Sequence, residues 1–203
     1  MNTAVQELIL ATNNKHKVSE IRQVLTGIPL KLLSLADLPG AFEVVEDGET
    51  LEDNAIKKAR EIALHYKKWA LADDTGLEVD ALGGQPGVYS ARYAGPECSY
   101  DDNNRKLIAA LSDTPEEKRT AQFRCVIALS SPEGKVQSVE GVVHGTITHE
   151  PSGTNGFGYD PIFFVPSHGK TFALLTADEK NTISHRGQAL RKARQVIERE
   201  GLV

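Results

Sequence analysis

The sequence lacks the features of a membrane, secreted or nucleic-acid-binding protein. It has no apolar run near the ~20 residues that a membrane-spanning helix needs, and its start lacks the basic and apolar stretches of a secretory signal. The two cysteines, Cys98 and Cys125, stand far apart without Cys-x-x-Cys spacing, which predicts reduced structural thiols. The net charge of −5 gives no general attraction to nucleic acid or to an anionic membrane. These absences predict a cytoplasmic protein that binds neither nucleic acid nor a membrane.

The length and the pattern of apolar residues predict one α/β domain over residues 1–203. Apolar or alternating runs predict strands, at residues 8–12, 30–35, 69–72, 77–82, 119–131, 135–148 and 162–165. Helical spacing and capping patterns predict helices, which begin near residue 18, after Thr50, at residue 101, after Thr176 and after Ser184. Because strands alternate with helices early and follow each other late, we expect a mixed sheet.

Two adjacent carboxylates, Asp73 and Asp74, follow the apolar run 69–72 and precede Thr75 and a glycine. Neighbouring acids at the edge of a core repel each other unless a cation or a proton-transfer task requires them. Acid, acid, hydroxyl and glycine at a strand end therefore suggest metal-assisted chemistry. The alternative is a structural turn, which also favours Asp and Gly.

A polar loop at residues 12–17 runs from the first predicted strand into a helix. Backbone N–H groups at a helix start, together with Lys15 and Lys17, could bind successive phosphates. The loop is not a P-loop, because the required glycines are absent, and a solvated loop remains the alternative. The acidic segment after residue 42 is expected to be mostly an exposed face, at Glu43, Glu49, Glu52 and Asp53.

A glycine-rich run spans residues 153–164. Glycines on both sides of Phe157 would let the backbone approach a flat ligand, and Phe157 could stack on a nucleobase. A tight turn with Phe157 in the core is the alternative. Further along, His185 and Arg186 follow Lys180 and could hold an acceptor oxygen of a ligand, although such pairs more often lie on the surface.

Six of these segments, in this order, resemble the inosine triphosphate pyrophosphatase family, also described as dITP/XTP pyrophosphatases. They begin at Thr12, Glu46, Ala72, Leu82, Phe157 and Ser184, and together they cover nearly the whole chain. Thr75 stands where the family often has serine, which keeps the hydroxyl, and Leu51 stands where an aromatic is common. The resemblance implies a homodimer with a long mixed central β-sheet, flanking helices and two lobes around a substrate cleft. It also implies Mg²⁺-dependent hydrolysis of ITP, dITP and XTP to the monophosphate and pyrophosphate.

The same resemblance implies a role for each matching residue. Glu46 and Asp74 would bind the metal, Asp74 would also activate the attacking water, and Asp73 would support them. Thr75 would contact substrate. The triphosphate would be held by Thr12, Asn13, Asn14, Lys15, His16 and Lys17. The base and the sugar-phosphate would be held by Phe157, Gly158, Tyr159, Asp160, Lys180, His185 and Arg186.

The chemistry of the base agrees with this interpretation. Hypoxanthine and xanthine carry an oxygen at C6, and donors from His185 or Arg186 would pair with it but oppose the amino group of adenine. An unpaired buried donor costs about 1–3 kcal/mol, so two donors would discriminate usefully against adenine. Two alternatives stay open: a Maf-like pyrophosphatase acting on modified pyrimidine nucleotides, and a nucleotide-binding sensor without turnover.

Overall fold

Seven strands form one mixed sheet within residues 5–203, the part of the chain that the computed structural model describes. The strands are β1 (Gln6–Leu10), β2 (Leu30–Ser34), β3 (Trp69–Val79), β4 (Thr120–Ser130), β5 (Val136–Ile147), β6 (Phe163–Val165) and β7 (Lys170–Thr171). Their order in the sheet is β2-β1-β3-β4-β5-β6-β7. β1 runs parallel to both β2 and β3, whereas β6 is antiparallel to β5 and β7. The predicted mixed sheet is confirmed.

Five α-helices accompany the sheet in the described residues: α1 (Lys15–Val24), α2 (Leu51–Tyr66), α3 (Tyr100–Ala110), α4 (Ala177–Ile183) and α5 (His185–Arg199). Local capping fixes several of their starts. The Thr50 hydroxyl accepts from the Asp53 amide at the start of α2, and Ser99 with Asp102 forms a capping box on α3. The predicted capping box of Thr176 and Glu179 is confirmed at α4.

The loop at residues 12–17 is shorter than its sequence suggests. Asn14 is the N-cap of α1 and its side chain accepts hydrogen bonds from the His16 and Lys17 amides. Lys15, His16 and Lys17 therefore belong to the first turn of the helix. The expectation of a helix beginning near residue 18 was wrong because the asparagine cap, rather than the first apolar residue, sets the start.

Strand β3 corrects a second expectation. The sequence predicts a strand over 69–72, an acidic end and a separate strand over 77–82. Instead one strand of eleven residues runs from Trp69 to Val79, and residues 80–82 form a 3₁₀ turn. Asp73 and Asp74 therefore lie inside a strand, which excludes the structural-turn alternative for them.

The chain separates into two compact units. The first contains residues 5–74, 125–141 and 186–203, and the second contains residues 75–124 and 142–185. Each has its own apolar core. Leu8, Leu71, Ile127 and Leu190 are among the core residues of the first unit, and Leu77, Leu107, Phe163 and Phe172 are among those of the second. The division falls within β3, β4 and β5, and a single domain with a cleft stays a prediction.

The remaining expectations concern the cysteines, membrane-spanning helices and the start of the chain. Cys98 and Cys125 are free thiols, and Cys125 is fully buried in the core of the first unit. No helix within residues 5–203 is long and apolar enough to cross a membrane. Residues 1–4, part of the stretch whose composition predicts no secretory signal, lie outside the described residues.

Candidate active site

The two carboxylates of β3 have different surroundings, because adjacent residues of a strand project to opposite faces. Asp73 is 1% exposed and Asp74 is 7% exposed. A buried carboxylate must be paired with a cation or become neutral. The two residues meet this requirement in different ways.

Asp73 is held by two cations of the first unit. Its Oδ2 lies 3.1 Å from the Lys17 ammonium and accepts two hydrogen bonds of 3.2 Å from the Arg186 guanidinium. Burial alone would raise the pKa of Asp73, but the charges of Lys17 and Arg186 outweigh it and hold the pKa well below its usual range. Asp73 is thus a permanent anion at neutral pH.

Arg186 is itself buried and carries a second carboxylate. Its Nη1 donates to Glu20 Oε2 at 2.5 Å. Burial lowers the pKa of the guanidinium, but the charges of Asp73 and Glu20 raise it by a larger amount. The net effect is a raised pKa. One arginine at the first turn of α5 thereby links α1 and β3.

Asp74 has a weaker partner. Its Oδ1 lies 3.6 Å from the Lys58 ammonium, which is closer to Glu46 Oε1, at 2.6 Å, and to the Asp73 carbonyl, at 2.7 Å. Burial raises the pKa of Asp74, and the negative charge of Glu46 adds to this effect against the attraction of Lys58. A carboxylate whose pKa is raised holds a proton more readily, as a general base requires.

Glu46 is placed by the same helix face that carries Lys58. Asn54, on α2, is buried and accepts a hydrogen bond from the Gly48 amide at 2.8 Å. A Cβ at residue 48 would lie 2.7 Å from Asn54 Oδ1, so the segment can approach the helix only with glycine there. Lys57 adds an ion pair of 2.6 Å to Asp47. Since Asn54, Lys57 and Lys58 follow each other at helical spacing, α2 fixes the loop that delivers Glu46.

These seven charged residues of the first unit are called the carboxylate cluster here: Lys17, Glu20, Glu46, Lys58, Asp73, Asp74 and Arg186. No group of three or more His, Cys, Asp and Glu within residues 5–203 is arranged to hold a metal by itself. Glu46 and Asp74 nevertheless offer two hard oxygen donors beside one lysine. This donor set fits Mg²⁺, which takes one or two carboxylates and completes its coordination with water and substrate phosphates.

The other residues of the predicted phosphate loop lie at the start of α1. Thr12 is half-buried and its Oγ1 accepts from the Asn14 amide at 3.2 Å. Asn13, Lys15 and His16 are exposed. Thr75, which follows Asp74 in β3, is half-buried. Lys17, in the same segment as His16, joins the carboxylate cluster through its ion pair with Asp73.

In the second unit, residues 157–160 form what we call the aromatic loop. The Asp160 carboxylate, 2% exposed, accepts from the Phe157 amide at 2.8 Å and from the Lys180 ammonium at 2.7 Å. The Lys180 ammonium also lies 5.0 Å from the centre of the Phe157 ring, within the range of a cation–π contact. A Cβ at residue 156 would lie 2.0 Å from Asp160 Oδ2, so glycine there is required by the turn. Phe157, Asp160 and Lys180, three of the residues predicted to hold the base and the sugar-phosphate, thus contact one another in the structure.

Tyr159 and His185 are less accessible than a ligand-contacting role suggests. The Tyr159 hydroxyl donates to the Ser90 carbonyl at 2.9 Å, and the side chain is buried. The His185 ring is also buried and stacks on Phe123 with centroids 4.6 Å apart and planes at 12°. Gly158 adopts a left-handed conformation with φ of 66°. The roles assigned to these residues stay predictions.

Sequence reasoning missed Lys58. Its position was detectable, because it lies four residues from both Asn54 and Ile62 on the buried face of α2, where an unpaired lysine would be strongly unfavourable. The sequence analysis also assigned no role to Glu20. By contrast, the predicted exposure of Glu43, Glu49, Glu52 and Asp53 is confirmed.

A family comparison decides the class of this chain. The model of the Ham1 family matches residues 8–196. The chain belongs to the Ham1 family. Ham1 relatives include a dITP/XTP pyrophosphatase of Desulforamulus reducens, 51% identical over 95% of this chain and 96% of that protein. A dITP/XTP pyrophosphatase of Geobacter sulfurreducens is 55% identical over 90% of this chain and 92% of that protein.

Solved Ham1 structures agree with the fold. The Ham1 protein of Staphylococcus aureus superposes with a TM-score of 0.87 at 41% identity, over 96% of this chain and all of that one. The Ham1 protein of Coxiella burnetii gives the same TM-score and identity. The resemblance found in the six sequence segments is therefore confirmed at the level of family and fold.

Proposed function

We propose that this Ham1 chain is a Mg²⁺-dependent nucleoside triphosphate pyrophosphatase that converts ITP, dITP and XTP to the monophosphate and pyrophosphate. The observation that carries the proposal is the pair Asp73 and Asp74 in β3, one held ionised by Lys17 and Arg186 and one with its pKa raised. The names of the Ham1 relatives, dITP/XTP pyrophosphatase, support the same reaction class.

In the proposed reaction, Asp74 accepts a proton from the water that attacks the α-phosphorus. As the water oxygen bonds to phosphorus, the bond to the oxygen bridging the α- and β-phosphates breaks, and pyrophosphate leaves with that electron pair. Asp73 stays ionised and keeps Lys17 and Arg186 in place. Such a reaction needs an aligned nucleophile and charge stabilisation more than covalent chemistry.

Lys58 is a positioning residue in this proposal. Its ammonium bonds to Glu46 and to the backbone carbonyl of Asp73 and lies near Asp74. Glu46 and Asp74 are the residues that would hold Mg²⁺. The bound ion would neutralise phosphate charge as it develops on the leaving group.

The substrate would be held by the remaining predicted residues. Amides at the start of α1 and the side chains of residues 12–17 would bind the triphosphate, and Thr75 would contact it. Phe157 would stack on the purine, with His185 or Arg186 as candidate donors to the C6 oxygen. Lys180 would contact the base or the sugar-phosphate. Arg186 keeps its predicted role as a base or sugar-phosphate contact, although its bonds to Asp73 and Glu20 favour a role in the carboxylate cluster.

A homodimer in the cytoplasm completes the proposal, on the strength of the family resemblance. Light scattering of the purified chain tests the oligomeric state. A mass close to 44 kDa, twice the 22.1 kDa of one chain, is expected.

The test of function is release of pyrophosphate from ITP, XTP, GTP, ATP and dTTP in parallel, each with Mg²⁺ and with EDTA. We expect Mg²⁺-dependent release confined mainly to ITP and XTP. Release from dTTP alone would favour the Maf-like alternative, and binding of ITP without release would favour a sensor. Release from every triphosphate would keep the carboxylate roles and contradict the base-selectivity roles.

A further inference from the structure

The first two turns of α3 contact the aromatic loop, although no role is assigned to this helix. Tyr100 and Asn104 lie four residues apart in α3 and therefore share one helix face. Both contact the aromatic loop, one through a ring and one through a hydrogen bond.

The Asn104 side chain makes one hydrogen bond to the aromatic loop. Its side chain is 3% exposed, and its Nδ2 donates to the Gly158 carbonyl at 3.1 Å. No group within residues 5–203 donates a hydrogen bond to its buried Oδ1. An apolar side chain would avoid burying that unpaired oxygen, so the bond to the Gly158 carbonyl is what distinguishes asparagine at this position.

Tyr100 contacts the ring that would stack on a base. The centres of the Tyr100 and Phe157 rings are 6.0 Å apart with planes at 44°, a separation typical of aromatic pairs. Tyr100 remains 43% exposed. Together with the Lys180 ammonium at 5.0 Å from the Phe157 centre, it restricts the orientation of the Phe157 ring.

The aromatic loop needs such external support. Phe157 lies between two glycines, Gly156 and Gly158, with φ of 74° and 66°, and glycine leaves the backbone many alternatives. Asp160 fixes the loop on the amide side of Phe157. Asn104 fixes it on the other side, at the carbonyl of the following residue.

We propose that Tyr100 and Asn104 are positioning residues for base recognition, and that they hold Phe157 in the orientation that stacks on the purine. The inference rests on the proposed function, in which Phe157 contacts the base. Because these two side chains contact the loop rather than the carboxylate cluster, they govern substrate affinity and not the rate of hydrolysis.

Asn104→Ala and Tyr100→Ala are therefore expected to raise KM for ITP about tenfold each, a fraction of a full stacking contact. kcat should stay within about threefold of the parent value. Two matched variants serve as controls. Asn103→Ala removes a neighbouring buried amide of the same helix, which bonds instead to Ala91 and Ala94, and Tyr100→Phe keeps the ring. Both should leave KM unchanged.

The urea midpoint of each variant separates loss of stability from loss of positioning. Equal KM values for Asn104→Ala and Asn103→Ala would overturn the role of Asn104, and an unchanged KM for Tyr100→Ala would overturn that of Tyr100. Affinity for inosine monophosphate, measured by calorimetry in EDTA, gives the same comparison without turnover. A parent chain that binds this product but hydrolyses no triphosphate would contradict the proposed function and still test the inference. A parent chain that neither binds this product nor hydrolyses ITP would overturn both.

Discussion

The carboxylate cluster of the first unit and the aromatic loop of the second are held in place by different forces. In the cluster, buried charges hold one another, as with Asp73, Lys17 and Arg186. In the loop, the chain is fixed by hydrogen bonds to its backbone and by ring contacts, with one buried ion pair between Asp160 and Lys180. A cluster of charges sets pKa values and stability, whereas a loop of this kind sets the shape offered to a ligand. We therefore expect substitutions in the two regions to change different quantities.

The largest effect should come from the cluster. Asp74→Asn removes the proposed proton acceptor and should lower kcat by about 10²–10⁴-fold. ITP should still bind, because the phosphate-loop residues are untouched. The measurement is steady-state pyrophosphate release.

Asp47→Asn is the matched control for this variant. It neutralises a neighbouring carboxylate that is exposed and paired with Lys57. Because the Asn54 contact to the Gly48 amide still holds the Glu46 loop, kcat should fall far less than for Asp74→Asn. A kcat for Asp74→Asn near that of the parent would remove Asp74 from the mechanism. It would also contradict the expectation that the carboxylate cluster, unlike the aromatic loop, governs kcat.

Stability should reveal the same contrast. Arg186→Leu leaves the carboxylates of Asp73 and Glu20 without their shared guanidinium. Removing one partner of a buried ion pair lowers the free energy of unfolding by about 3–5 kcal/mol. Urea unfolding followed by circular dichroism measures the change.

Arg194→Leu, in the same helix, provides the comparison. Arg194 is half-exposed and pairs with its helix neighbour Glu198, so its removal should change the free energy of unfolding by less than about 1 kcal/mol. If both variants lose the same amount, the buried ion network of Arg186 does not stabilise the fold.

The smallest effect concerns the start of α3. The Ser99 hydroxyl and amide, together with Arg105, lower the pKa of Asp102 to about 2. A depressed carboxylate pKa stabilises the fold above the unfolded value of about 3.9, and this contribution disappears as the pH falls through about 2. Asp102→Asn should therefore destabilise the chain slightly at pH 7, and the difference from the parent should narrow between pH 5 and pH 3.

Chemical denaturation at several pH values measures this difference. A gap that stays constant between pH 5 and pH 3 would show that the cap does not depend on the charge of Asp102. The same series on Arg186→Leu would show whether the cluster and the cap respond separately.

Much of the fold is predictable from the sequence because its signals are local. Capping residues indicate where α2, α3 and α4 begin. Apolar runs indicate β1, β2 and the long strands β4 and β5. Capping acts within one helical turn, and strand patterning acts through alternate residues. Such local patterns therefore do not depend on contacts with distant parts of the chain.

The centre of the site is less predictable because distant residues decide it. Asp, Asp and Gly are poor strand formers, so residues 73–76 predict an interruption. Cations from α1, α2 and α5 neutralise Asp73 and Asp74 and allow β3 to continue through them. Lys58 was overlooked for a related reason: a lysine is expected at the surface unless its partners, which are far along the chain, are known.

The course of β3 has a consequence for how this protein would lose activity on heating. In many enzymes catalytic acids lie on loops, which can melt locally while the scaffold remains folded. Here the proposed proton acceptor, Asp74, and its neighbour Asp73 belong to an interior strand, between β1 and β4 in the sheet. On heating, the arrangement of Asp73 and Asp74 should therefore be lost only when the sheet itself unfolds.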